Sequence, residues 1–402
     1  MISTLLLMNR NNINNTVTTN SQPQHSYLVL QTNNVSSWGG YSNIDINLQG
    51  YVVHEGTLQI NVSAISEVTA SSVLMLPCFT TASKFFVSLN VTNNNNTIDL
   101  LDSQCNYLLN QLFTSYEDCV FINNASGAYN SQSSRYALSS TTSTYQVPIR
   151  LGIFNQLRTE LLSSNHNIRL SFLMESLSNI INQGTLVGTP TATLNNVSLL
   201  LKVSKYEQPV TQNKILQLQR SPLNQLYNSC AYQPATVNIG ASSAIITLSN
   251  FSGLNIQFLY FVISFSSALT KSEGMLFLNN LTNYSVLSSS SENLSGQPIT
   301  PQQCLYVYNK TNTLGCFSSI DSTYGNVFTL FHSIDPISTM CQPGSGVYGN
   351  RLYNGAESLQ LNFTSALTAN ITVDIYASVT SLLRQSNLGF TKIIVWIINN
   401  NI

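Results

Sequence analysis

Charge is what this sequence lacks most. Asp, Glu, Lys and Arg make up 8% of its 402 residues, against about 25% in ordinary soluble chains. The 15 basic and 16 acidic residues leave a net charge of -1. That excludes the basic footprint of a nucleic-acid binder and the polybasic grip on an anionic membrane. Histidine is nearly as scarce. His25, His54, His166 and His332 are the whole set, and none stands in a metal-ligand or triad spacing. Cys78, Cys105, Cys119, Cys230, Cys304, Cys316 and Cys341 include no CxxC pair, so a zinc site is not expected. Their odd number, with no recognisable leader, favours free thiols in a reducing compartment over a disulfide framework. Apolar runs are short as well. Leu5–Met8 is too brief for a signal core, and Ile393–Ile398 is under half of the roughly 20 residues a spanning helix needs, so it reads as a final strand. These absences leave catalytic, cofactor-binding and metal residues unassigned: none is expected, and no cofactor.

Hydrophobic residues are plentiful at 43%, so the chain has material for packed interiors. Its length exceeds what one core usually holds, which predicts two domains. Polarity comes from Asn, Ser, Thr, Gln and Tyr, side chains suited to turns and pleated sheets rather than to long surface helices. With only 19 glycines, Asn is expected to take many of the left-handed turn positions.

Residues 1–25 lack apolar periodicity and read as an arm. Strand patterns follow at Tyr27–Thr32, Ile44–Val53, Leu58–Ile65, Val73–Leu76 and Phe85–Val91, then at Tyr145–Leu151, Ile168–Met174 and Val197–Val203. Helical spacing predicts one inserted helix from an Asp99 N-cap to Phe113, and a shorter one within Gly152–Leu162. Lys205–Lys214, with Pro209, reads as a linker. Beyond it strands are expected at Ile245–Leu248, Ile256–Phe265, Met275–Leu278, Leu305–Tyr308, Val327–Phe331, Leu359–Phe363, Ile371–Val379 and Phe390–Trp396. The halves echo one another: Ile168–Phe172 before Asn195–Val203 parallels Leu359–Phe363 before Ala369–Ala377. The pattern predicts two antiparallel sandwiches, at 26–208 and 209–402.

Other motifs dissolve on inspection. Gly344–Gly349 spells GxGxxG, but it follows Cys341-Gln-Pro343 and leads into further loop sequence, not from a strand into a helix. His54-Glu55 and His332 to Asp335 are the nearest acid-base pairs, and neither adjoins a nucleophile signature. Sequons such as those at Asn34, Asn61, Asn90, Asn124, Asn250, Asn283, Asn309 and Asn370 follow largely from the abundance of Asn, Ser and Thr.

The segment Tyr145-Gln-Val-Pro-Ile-Arg-Leu-Gly-Ile-Phe154, continuing through Leu161–Leu170 to Val197–Val203 and Pro209, resembles the close of the first jelly roll in double jelly-roll major capsid proteins. The likeness is to viruses with vertical β-barrels, especially the virophage and Polinton-like branch. Asn354–Phe363 and Val373–Leu383 are similar to that family's closing strands. The resemblance implies an all-β fold of two tandem eight-stranded jelly rolls with a few short helices. It implies a structural subunit, a homotrimeric pseudo-hexameric capsomer in an icosahedral virion shell, with neighbouring capsomers, penton, minor capsid and cement proteins as partners. No sequence-specific nucleic-acid contact is implied, and contact with an inner membrane is left open. Tower loops at the outer end would be Gly127–Thr144, Asn283–Pro301 and Ile334–Asn354. Some family members carry a basic or amphipathic terminal arm, whereas residues 1–25 hold Arg10 as their one charge. Two other classes stay open on the residues alone: a secreted or cell-surface β-sandwich that binds carbohydrate through Asn, Tyr and Trp38, and an enzyme on a jelly-roll scaffold.

Overall fold

A computed structural model describes residues 24–34, 36–66, 72–73, 85–112, 121–122, 124–127, 137–183, 190–265, 281–288, 298–300, 327–331 and 351–394. Several expectations fall outside the described residues: the arm up to residue 23, the strands at Met275–Leu278 and Leu305–Tyr308, the GxGxxG loop, His332, five of the seven cysteines and most of the three long loops.

The first half contains β1 (Gln24–Gln31), β2 (Tyr41–Ile46), β3 (Tyr51–Val62), β4 (Ser72–Val73), β5 (Phe86–Asn93), β6 (Asn96–Asp102), β7 (Ser143–Ile149), β8 (Glu160–Leu161), β9 (Ile168–Met174), β10 (Asn182–Gln183) and β11 (Leu194–Lys205). Helices α1 (Ser103–Leu112), α2 (Gly152–Asn155) and α3 (Leu177–Ile180) interrupt them, and α4 (Gln208–Arg220) follows. The second half contains β12 (Leu223–Val237), β13 (Ser243–Thr247), β14 (Asn255–Phe265), β15 (Leu281–Leu287), β16 (Val327–Phe331), β17 (Arg351–Leu352), β18 (Ser358–Phe363), β19 (Ile371–Ser386) and β20 (Gly389–Ile394).

Strand order makes each half a jelly roll. In the first, β1-β11-β3-β7 faces β2-β9-β5-β6, and in the second β12-β19-β14-β16 faces β13-β18-β15. All ladders are antiparallel, and among the described residues none joins one half to the other. The echo in the sequence has a topological basis. Ile168–Phe172 lies in β9 and Leu359–Phe363 in β18, each the second strand of its smaller sheet. Asn195–Val203 lies in β11 and Ala369–Ala377 spans the start of β19, each the second strand of its larger sheet.

Alternation sets the first core. In β9, Ile168, Leu170, Phe172 and Met174 are buried while Arg169 is exposed, because successive side chains leave a strand on opposite faces. The second half departs from this pattern. Ile256 through Ile263 in β14 and Ile375 through Ser381 in β19 are buried without alternation. One face of that sheet closes its own core, where Phe261 meets Tyr284 edge-on at 5.1 Å. The other face is covered by the first half.

Four sequence expectations are corrected. Ile44–Val53 is two strands, since residues 47–50 turn and Gly50 takes φ +78°. The long helix begins at Ser103, not behind Asp99, because residues 99–102 complete β6. Asp102 is its cap, with Oδ1 accepting from the amides of Gln104 (2.8 Å) and Cys105 (3.2 Å). The second helix is shorter than its window, ending at Asn155. The linker at Lys205–Lys214 is mostly the start of α4, with Pro209 in its first turn. There a missing N–H costs nothing and the fixed φ suits the helix. Strand β12 was not among the expected strands, and it contains Pro234. It lies at the edge of its sheet, where proline is tolerated. The turn role of asparagine is realised between β5 and β6, where Asn94 (φ 49°) and Asn95 (φ 66°) form a two-residue hairpin loop.

Leu170 is fully buried, so Leu170→Asp should cost about 4 kcal/mol or more by placing an unpaired carboxylate in the first core. Urea unfolding, or loss of soluble protein on expression, measures it. Wild-type stability of this variant would refute the inward assignment of β9.

Candidate functional site at the junction of the two jelly rolls

Among the described residues the histidines do not assemble a reactive centre. His54 Nε2 meets Ser204 Oγ, but Ser204 is 1% exposed and out of reach of a substrate. Glu55 pairs with Lys202 at 3.6 Å. Among the described residues no group of three or more His, Cys, Asp or Glu is arranged to hold a metal. His25 sits in β1. His166 is different, because it lies where the two halves meet.

At one end of that junction the first half grips the β19–β20 hairpin of the second. His166 Nε2 donates to the Ser386 carbonyl (2.7 Å), Asn165 Nδ2 to that of Asn387 (2.8 Å) and Asn94 Nδ2 to that of Leu388 (3.2 Å). The Phe390 amide donates to Asn93 Oδ1 at 2.8 Å. Asn93 is itself fixed, its Nδ2 donating to the carbonyls of Asn165 (2.9 Å) and Asn167 (2.6 Å). Gly389, at φ +127°, passes so close that a Cβ would lie 2.3 Å from Asn93 Oδ1 and 3.0 Å from the Asn165 carbonyl. His166 Nδ1 accepts the amides of Ser163 (3.1 Å) and Leu162 (3.3 Å), so the ring serves as a neutral tautomer with its proton on Nε2. Burial holds its pKa below the usual 6.5, although the Ser386 contact and Glu160 oppose the shift.

Further along, the outer face of the β12-β19-β14 sheet carries a ladder of tyrosines. Tyr232, Tyr376 and Tyr260 stand opposite one another in register. Their rings stack at 5.0 Å and 5.3 Å, with interplanar angles of 28° and 15°. Tyr376 reaches the first half through its hydroxyl, which donates to Asp102 Oδ1 at 3.2 Å. Tyr227 Oη donates to the Ile98 carbonyl at 2.6 Å. The Asn228 amide donates to Gln156 Oε1 at 2.7 Å, and a Cβ on Gly152 would strike the Asn228 carbonyl at 2.2 Å. Glu160 fastens the connection between the halves. Lys214 Nζ on α4 (2.8 Å) and Tyr206 Oη (2.7 Å) both bond its carboxylate, and Gln385 Nε2 its backbone carbonyl (2.8 Å).

Between these contacts lies a cavity of about 300 Å3. Asp99, Leu101, Leu109, Gly152, Cys230 and Tyr260 are among the residues lining it. Burial raises the Asp99 carboxyl to about 6, against the opposing pull of Lys392.

None of the clasp residues was anticipated as functional. His166 and the Asn93–Asn96 tract are visible in the sequence, but nothing there ties them to a hairpin more than 200 positions away.

No protein-family model and no curated protein sequence matches the chain. Solved structures do. PBCV-1 VP54, in a crystal structure fitted into a reconstruction of the virophage Sputnik, superposes with a TM-score of 0.67 at 12% identity, over 95% of this chain and 99% of that one. Faustovirus major capsid protein superposes at 0.63 with 9% identity, over 96% and 97%. Mavirus major capsid protein superposes at 0.54 with 11% identity, over 94% and 92%. The chain has the double jelly-roll fold of these proteins.

Two predictions follow from the junction's geometry. Asp99 has a folded pKa above its unfolded value near 3.8. Its contribution is therefore most favourable below pH 3.8 and is lost as pH rises towards 6. His166, with a lowered pKa, acts in the opposite sense, stabilising above pH 6.5 and losing that stabilisation as pH falls. Asp99→Asn should raise unfolding free energy at pH 8 by on the order of 3 kcal/mol, and by almost nothing at pH 3.5. Paired denaturant titrations at both pH values check this, and an equal effect at both would refute it. Gly389→Ala should cost roughly 1–3 kcal/mol through the strained backbone and the clash with Asn93. Thermal unfolding reads that loss.

Proposed function

We propose that this chain is a viral major capsid protein, a structural subunit of an icosahedral shell and not an enzyme. One observation carries the reading: the likeness to PBCV-1 VP54 and Faustovirus major capsid protein runs through both jelly rolls and almost the full length of each partner. A lectin or adhesin built on a single sandwich gives no reason for two barrels locked together in this way.

The physical logic of a shell subunit fits the chain. Two similar barrels in one polypeptide, at 26–208 and 209–402 in the division we propose, give three chains six barrels and a nearly hexagonal outline. Such a tile packs a surface without cofactor or charge. Its contacts must rest on apolar burial, shape and neutral hydrogen bonds. The exposed apolar side chains on the first jelly roll, Tyr27 and Val29 on edge strand β1 and Tyr41 on β2, suit contact with another subunit. Neighbouring capsomers, penton, minor capsid and cement proteins are the further partners, in the virion. Sequence-specific contact with nucleic acid has no part in this function.

A homotrimer is expected, burying roughly 2,000 Å2 or more at its interfaces and changing little in stability with added salt, because screening acts mainly on exposed charges. Sedimentation analysis across a salt series, with negative-stain images of the same sample, tests it. A hexagonal trimeric outline at every salt concentration supports the reading. A monomer at micromolar concentration, or a trimer that dissociates as salt rises, refutes it.

A further inference from the structure

Cys105 and Cys230 are 125 positions apart, yet their sulfurs stand 2.6 Å from each other across the junction. Both are free thiols. The separation exceeds a covalent S–S bond of about 2.05 Å by little more than half an ångström. Cys105 sits in the first turn of α1, and Cys230 is in β12, so the pair joins an element of each jelly roll. Tyr260 Oη lies 2.9 Å from the Cys105 sulfur and 3.4 Å from that of Cys230. A hydroxyl between two sulfurs is placed to pass a proton from one to the other.

The two thiols differ in access. Cys105 is fully buried, and burial, together with Cys230 beside it, drives its pKa well above the ordinary thiol value. Cys230 is partly exposed and lines the junction cavity of about 300 Å3, which is large enough to admit a small oxidant. We propose that Cys105 and Cys230 form an oxidisable pair, in which a hydroperoxide entering the cavity converts Cys230 and Cys105 closes a disulfide between the two jelly rolls.

The chemistry balances in two steps. The Cys230 sulfur, as thiolate, attacks one peroxide oxygen: an S–O bond forms, the O–O bond breaks, and the departing hydroxide takes up the thiol proton as water. The Cys105 sulfur then attacks the sulfur of the Cys230 sulfenic acid. An S–S bond forms and the S–O bond breaks. The hydroxyl leaves as water with the Cys105 proton, which Tyr260 is placed to relay. Two thiols lose two electrons in total, and one hydrogen peroxide is reduced to two waters.

The test uses the full-length chain, first reduced and then exposed to a small excess of hydrogen peroxide at neutral pH. It is quenched with an alkylating agent, digested and mapped by mass spectrometry. The expected result is a linked Cys105–Cys230 peptide, two fewer titratable thiols in denaturant, and an unfolding midpoint raised by about 5 °C, since the bond closes a long loop. Dithiothreitol should reverse all three. Cys230→Ser should abolish the linked peptide and the midpoint shift, leaving Cys105 alkylatable once denatured. In Cys105→Ser, Cys230 should accumulate as a sulfenic acid trapped by dimedone. Should that variant not fold, early time points on the wild type give the same information, because the dimedone adduct should appear at Cys230 before the bridge. The inference is overturned if both thiols survive peroxide in the folded chain. It is equally overturned if either pairs with another cysteine, or if the first adduct is on Cys105.

Discussion

Strands β14 and β19 belong to two interiors at once, and the rest of the architecture depends on that fact. A strand with one wet face can alternate apolar and polar residues. These two cannot, because their inner face closes the second jelly roll while their outer face is covered by the first. Phe261 fills one interior, and its strand neighbours Tyr260 and Phe258 fill the other. Aromatic residues on both faces of one strand make the arrangement costly to undo, since each buried aromatic side chain contributes several kcal/mol. The helix α1, the tyrosine ladder, the cavity and the thiol pair all lie on the outer face of the sheet β12-β19-β14-β16.

With few charges available, the junction is fixed by neutral groups. Asn93, Asn94 and Asn165 hold a hairpin backbone by its carbonyls and amides, and Tyr227 and Gln156 hold further backbone groups. Each such bond is worth about 1 kcal/mol net, and losing one partner costs more. Their strength lies in geometry: side-chain amides offer a donor and an acceptor on one short arm, and Gly389 lets the hairpin approach closely enough to use both. The ion pairs of the described residues play a smaller part. Arg169–Asp45 and Lys202–Glu55 are largely exposed, and only Lys214–Glu160 reaches a connection between the halves.

Much of the fold was legible in the sequence, for identifiable reasons. Alternation in Ile168–Met174 and Leu359–Phe363 revealed strands that are buried on one face, and their recurrence revealed the tandem plan. Ile256–Phe265 was legible as a strand, and its apolar stretch Phe258–Ile263 is the pattern of a strand covered on both sides. Local rules failed where tertiary context outweighed them. Pro209 was read as a breaker when it opens α4, and Asp99 as a helix cap when a strand claims it and Asp102 does the capping. β12, missing from the expected strands, carries Pro234, which its edge position tolerates. The junction was the least legible part, because His166 and Asn93 acquire their roles from a hairpin distant in the chain, and no local pattern encodes that meeting.

The absence of any ladder between the halves, among the described residues, has a consequence for synthesis. Domains form as units while the chain emerges from the ribosome, the amino-terminal one first. The first jelly roll can pair all its strands from residues 24–205 alone, so it is able to stand complete before the second exists. On that order, the surface that covers the tyrosine face of the second half precedes that face in the chain, and the asparagines that hold the Ser386–Gly389 turn precede it by more than 200 positions.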